Sequence, residues 1–206
     1  MAGVLGVFGA IALLPSVCWA QNGQAVQVAQ PVQQGRSFDN RMRLSVLGAL
    51  GVGGEAELIF DGDSTGIEDD LDPTFGAGFR FTMPLWNYVI VGGQTTINSI
   101  SGSSTDDREP ILDLTTLAGG RLPLATRLPV ELTLLLPLGP SFGFFENQDT
   151  AFGINFGVLA GAQVMVTEMI GLWTEIGFVG RYLSLEDDFG ITTIQAAFNS
   201  GIQVRL

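Results

Sequence analysis

Residues Phe60 to Pro73, FDGDSTGIEDDLDP, form the densest run of chemistry-bearing side chains in the sequence. Asp61, Asp63, Thr65, Asp69 and Asp72 fall at positions 1, 3, 5, 9 and 12 of a calcium-loop register, with Gly66 at position 6. Carboxylates and a hydroxyl at that spacing can wrap a hard divalent cation with oxygen ligands, so these five residues are candidate calcium ligands. Two positions depart from the pattern. Glu68 stands at position 8, where an apolar residue is usual, and Asp72 is shorter than the bidentate Glu usual at position 12. The alternative is a solvated acidic loop in which Gly62 and Gly66 make the turns.

What flanks this stretch decides how it is held. A calcium loop of that type sits between helices, but the neighbouring sequence alternates with period two. In TFGAGFRFTM, Phe75, Ala77, Phe79, Phe81 and Met83 share one face, while Thr74, Gly76, Gly78, Arg80 and Thr82 share the other. In FGINFGVLAGAQVMV, Phe152, Ile154, Phe156 and Val158 oppose Gly153, Asn155, Gly157 and Leu159. Successive side chains of a strand point to opposite faces, so each segment reads as a strand with one oily face and one polar or small face. Eight such segments are expected, at about 41–57, 73–83, 87–101, 110–123, 129–144, 151–166, 169–184 and 191–206. They exceed the ~5–6 residues of a typical globular strand, whereas an oblique bilayer crossing takes ~9–11. Tight connections at 84–87, 124–129 and 167–169 alternate with more polar ones at 58–72, 102–109, 145–150 and 185–190. That rhythm predicts an all-β fold, an eight-stranded antiparallel up-and-down transmembrane β-barrel.

If the oily faces meet lipid, the ionised residues on the opposite faces point into the lumen. Arg121 and Glu131 lie equally far from the turn centred on Thr126, which predicts that they face one another as a lumen salt bridge. Arg43, Arg80, Asp113, Glu175, Arg181 and Arg205 complete the expected polar network. A soluble eight-stranded barrel binding a small apolar ligand would reverse the faces. Its outer surface would then consist mostly of Gly, Thr, Gln and Asn with few charges, a poor water-facing surface.

Composition narrows the function classes. The 206 residues carry 21 acids, 9 bases and no histidine, for a net charge of -12. Every base is arginine. Such a chain repels phosphate backbones, so no nucleic-acid partner is expected. Charged residues make up only 15% and mean hydropathy is +0.36, oily for a water-soluble domain. The one long apolar run is MAGVLGVFGAIALLPSVCWA, read as a signal peptide over residues 1–20 with cleavage after Ala20, although no Lys or Arg precedes Arg36. An uncleaved anchor helix is the alternative. Cleavage there removes Cys18, the single cysteine, and with it all thiol chemistry. Residues 21–40 read as a flexible Gln-rich lead-in, leaving 41–206 for the barrel.

The C-terminal NSGIQVRL, with Asn199, Gly201, Val204 and Leu206, resembles the terminal signal of bacterial outer-membrane proteins: polar, any, Gly, any, any, hydrophobic, any, hydrophobic. Leu206 stands where most members carry Phe. Together with the leader and the eight alternating segments, this resembles the small eight-stranded barrels of the OmpA, OmpX and OmpW type at the level of architecture. The resemblance implies a monomer in the bacterial outer membrane, with both termini in the periplasm. It also implies contact with outer-membrane lipid and lipopolysaccharide, and recognition by the barrel assembly machinery through the last strand. In that orientation the acidic connections are extracellular, among them Asp61, Asp63, Glu68, Asp69, Asp70, Asp72, Asp106, Asp107, Glu109, Glu146, Asp149, Glu186, Asp187 and Asp188, while Arg36, Arg41, Arg43, Arg121, Arg127 and Arg205 gather at the periplasmic end. Trp86 and Tyr88 inside, with Phe142, Phe144 and Tyr182 outside, would form interfacial girdles.

No enzymatic activity and no cofactor are expected, surface-bound calcium apart: outer-membrane barrel enzymes resemble one another in using a catalytic histidine, and none is present. Two roles remain open. One is a structural or surface-interaction protein displaying acidic loops. The other is a narrow porin-like channel for small or hydrophobic solutes, against which Trp173, Leu159 and Met165 on the lumen face would stand.

Overall fold

The computed structural model describes residues 40–101, 108–124, 129–145, 150–185 and 189–206. The signal peptide, the Gln-rich lead-in before Asn40, and Arg36, Asp106, Asp107, Arg127, Glu146, Asp149, Glu186, Asp187 and Asp188 lie outside these residues. Nine strands run through the described chain: β1 (Arg43–Phe60), β2 (Asp63–Asp70), β3 (Thr74–Trp86), β4 (Val89–Ile100), β5 (Glu109–Pro123), β6 (Val130–Gly143), β7 (Ala151–Met165), β8 (Ile170–Ser184) and β9 (Phe189–Arg205). All pairings are antiparallel between chain neighbours, except that β1 also pairs with β3 and closes on β9, from Arg43 opposite Arg205 to Phe60 opposite Phe189. Eight strands make the closed barrel, and β2 is a ninth that stands outside it.

Closure and alternation together sort the side chains. Phe152, Ile154, Phe156 and Val158 of β7 are exposed on the outer face, as are Leu134, Leu136 and Leu138 of β6 and Ile176 and Phe178 of β8. Their inward neighbours Asn155, Leu159, Leu135, Glu175 and Trp173 are buried. An exterior belt of this size is what lipid contact requires and what a water-soluble barrel would hide. Trp86 and Tyr88 are exposed at the end that holds the first and last described residues, Asn40 and Leu206, and Phe144, Phe152 and Tyr182 are exposed towards the other end. These two ends are called here the termini end and the loop end.

Two departures from the expected layout have local causes. Residues 58–72, expected as a loop, are mostly a β-hairpin: β1 runs on to Phe60 and turns back through Asp61–Gly62 into β2. Both turn residues have positive φ, 49° at Asp61 and 82° at Gly62, the type I′ geometry for which Asp-Gly is a preferred pair. The hairpin leaves the wall at a bulge. Gly53 and Gly54 have φ of 60° and 127°, and a Cβ on Gly54 would lie 2.3 Å from the Ile194 carbonyl oxygen. Beyond it β1 keeps β9 but exchanges β3 for β2, the last β1–β3 pair being Gly51 with Thr74. The bulge also resets the alternation, so that Ala56 packs inward while Glu55 is exposed.

The second departure is register. Arg121 lies opposite Thr133, and Glu131 opposite Pro123, so the β5–β6 hairpin is offset by two residues from the expected facing pair. A shift of two keeps every side chain on its face and turns a direct pair into a diagonal one.

The lipid-facing belt sets a first test. Ile176, midway along β8 and 65% exposed, should lose ~2–4 kcal/mol of stability on replacement by Arg, the cost of a charge facing mid-bilayer. Urea unfolding from lipid vesicles measures it, and an unchanged midpoint would show that this face does not meet hydrocarbon.

Candidate functional site

The lumen is built in layers, because each strand contributes one inward residue in two. Nearest the termini end, Glu131 of β6 receives the Arg43 guanidinium of β1 through two bonds, at 2.8 and 3.1 Å. Arg121 reaches the same carboxylate at 3.4 Å, and Gln163 of β7 also donates to it. The expected Arg121–Glu131 salt bridge is therefore present, diagonally, in a shared cluster. Arg121 also donates to Asn40 at 2.7 Å, holding that residue at the rim. Arg205 stands beside Arg43 across the β1–β9 seam.

Slightly further in, Arg80 of β3 forks onto Glu175 of β8 at 2.5 and 2.8 Å, donates to Gln94, and stacks 4.1 Å from the centre of the Trp173 ring. A fork with both carboxylate oxygens engaged is the strong geometry for a buried ion pair, and the ring covers the guanidinium face that cannot hydrogen-bond. Both members are 4% exposed, so neither is screened by solvent.

An apolar belt follows: Ile90, Leu117, Leu135, Leu159 and Ala197, with Val179 against it. Beyond it lies the second ionic layer. Asp113 of β5 accepts from Arg181 of β8 at 3.0 and 2.8 Å, from Asn98 at 2.8 Å and from Ser141 at 2.5 Å. Asn155 links Ser141 to Thr115. Two small cavities lie at these layers, one of about 20 Å³ beside Arg80 and Glu175 and one of about 40 Å³ beside Asp113 and Arg181. Leu159, Trp173 and Met165, the expected obstructions, are all buried in the lumen.

One step further towards the loop end, Ile111 sits two residues before Asp113 and Leu183 two residues after Arg181. With Leu71, Ile100 and Ala151 they form a second apolar cluster that roofs the ionic layer. Above this roof opens a cup of about 370 Å³, whose lining includes Ile67, Leu183 and Ile191 and the acids Glu57, Asp69 and Glu109. Period-two reading assigns polar character to the lumen face. Its exceptions are of two kinds: the mid-lumen belt, and a second group of apolar residues at lumen positions where the strands approach the loop end, which is the signal for the cup.

The candidate calcium ligands are not brought together. Asp61 is in the hairpin turn, Asp63 begins β2, Thr65 donates to the Leu58 carbonyl, and Asp72 lies past the far end of β2, held by Ser101. At ~3.3 Å per residue an eight-residue strand separates these ends by roughly 25 Å, whereas calcium needs six to eight oxygens within ~2.6 Å. Among the described residues no three acids are placed to hold a metal ion. Instead the hairpin sets acids against acids, Glu55 opposite Asp70 and Glu57 opposite Glu68, an arrangement that repels itself.

The backbone is similar to that of the outer membrane protein OprG from Pseudomonas aeruginosa, with 12% identity over 82% of this chain and 97% of that chain and a TM-score of 0.50. Neisserial surface protein A (NspA) matches at 15% identity over 79% of this chain and 97% of that one, with a TM-score of 0.43. Ail, the attachment invasion locus protein of Yersinia pestis, matches at 17% identity over 81% and 99%, with a TM-score of 0.36. No protein-family model matches the sequence, and no curated protein matches it. The likeness to OprG is one of fold: a small outer-membrane β-barrel.

The Arg80–Glu175 fork makes a sharp energetic test. Arg80→Met or Glu175→Leu alone strands a buried charge and should cost ~3–5 kcal/mol, while the double replacement should cost much less than their sum. Denaturant titration of the three variants reads the coupling; additive losses would mean that the two side chains do not form a pair.

Proposed function

We propose that this chain is an outer-membrane barrel with a closed lumen that acts at its loop end, as a structural and surface-interaction protein rather than as a conduit or an enzyme. The observation that carries this reading is the filled lumen: among the described residues, two ionic layers with an apolar belt between them and a roof above, where the cavities at the two layers measure about 20 and 40 Å³. A hydrated solute needs a continuous opening, and an eight-stranded barrel packed with side chains has none to offer.

The reading includes an orientation. The termini and the short turns lie in the periplasm, and the acidic loop end lies outside, beside lipopolysaccharide. Charge distribution supports it: Arg41, Arg43, Arg121 and Arg205 collect at the termini end, and the hairpin acids at the other. Acidic loops facing an anionic lipid surface repel it unless divalent cations lie between them, so calcium would serve as a diffuse bridge and not as an ion in a built chelating site. The last strand, ending in Val204 and Leu206, is the segment offered to the barrel assembly machinery, and a monomer suffices for this role.

Purified protein in a planar bilayer should give no conductance above background; stable unitary currents would replace this reading with the channel. In intact cells, Gly62→Cys should react with a membrane-impermeant maleimide, and Tyr88→Cys only after permeabilisation. The opposite pattern would invert the orientation.

A further inference from the structure

We propose that the cup at the loop end is a dead-end binding site for a small hydrophobic cation, an organic ammonium carried on a compact apolar body. It deepens the reading above, on which it rests only in that the loop end must face the medium that carries the ligand.

Three observations converge on this chemistry. The first is space: about 370 Å³ lies within the range of small-molecule sites, and it is far larger than either lumen cavity. The second is the floor. Leu71, Ile100, Ile111 and Leu183 are buried beneath it and separate it from the Asp113–Arg181 pair. A ligand entering from the loop end therefore meets an apolar surface and goes no further. The third is sign. Glu57, Asp69 and Glu109 line the cup, and the facing acid pairs of the hairpin stand beside it. Among the described residues the one base at this end is Arg108, which lies over the Phe75 ring.

Charge of one sign around a low-dielectric concavity focuses the field into it and raises the local concentration of cations. A bare metal ion gains nothing from the apolar floor. A neutral apolar molecule gains nothing from the rim, and an anion is repelled by it. A hydrophobic ammonium uses both.

The test uses the full barrel in lipid nanodiscs and three probes that share one rigid body: 1-adamantylammonium, 1-adamantanol and 1-adamantanecarboxylate, each titrated calorimetrically. The cation should bind about tenfold tighter than the alcohol, and the carboxylate should not bind measurably. Raising salt from about 0.05 to about 0.5 M should weaken the cation severalfold, since rim charges exposed to solvent are screened. Asp69→Asn combined with Glu109→Gln should bring the cation down to the level of the alcohol. Ile191→Trp should fill the cup and abolish binding while heat-modifiable gel migration shows the barrel intact. If that variant does not fold, Ile67→Trp blocks the same cup from the hairpin, outside the barrel wall. Equal affinity for cation and alcohol in the unmodified protein, no binding by any probe, or cation binding that survives the Trp variants would each overturn the proposal. Failure of the cell-labelling pattern would sink the orientation but leave the nanodisc result standing, so the two readings fail separately.

Discussion

Everything in this molecule follows from the seam between β1 and β9. Backbone amides and carbonyls inside a bilayer have no water to bond with, so a sheet can span only if its two edges find each other. Pairing from Arg43–Arg205 to Phe60–Phe189 does this. Once the sheet is closed at eight strands, its interior is narrow and must be filled by whatever the inward positions carry. The lumen is thus a core, subject to the packing and polar-satisfaction rules of any protein interior.

The content of that core is unusual for its ion pairs. Burying a guanidinium or a carboxylate costs several kcal/mol per ion unless its partners are well placed. Here each carboxylate is engaged more than once: Glu131 by two arginines and a glutamine, Asp113 by an arginine, an asparagine and a serine. The pairs also cross the barrel, Arg43 of β1 to β6, Arg80 of β3 to β8 and Arg181 of β8 to β5, so they tie together walls that no hydrogen-bond ladder joins. Between them the apolar belt keeps the two ionic layers apart.

The loop end differs from the termini end because of two glycines. The bulge at Gly53–Gly54 releases β1 from β3 and lets it pair with β2, extending one section of the wall past its neighbours. It carries acids that oppose one another, and Ala56 turned inward against the roof. Without the bulge the same residues would continue the wall with the opposite faces presented, and the cup would lose that side.

The sequence by itself determined which side of each strand is oily, where most strands begin and end, and which charged residues share the lumen, because alternation is local and a strand displays it without reference to anything else. It also identified Arg121 and Glu131 as partners, since a two-residue error in the turn leaves both on the same face. It did not determine which charge meets which across the barrel. Arg80 and Glu175 are 95 residues apart, and nothing local to either strand specifies the other. Nor did it reveal that the acidic stretch is a hairpin: Asp61–Gly62 carries the turn signal, but the calcium-like spacing is measured along the chain, whereas a metal site is measured in space. The cup was decided only by closure. Its residues come from six strands, and an apolar residue at a lumen position becomes the floor of a cavity only when its neighbours arrive around it.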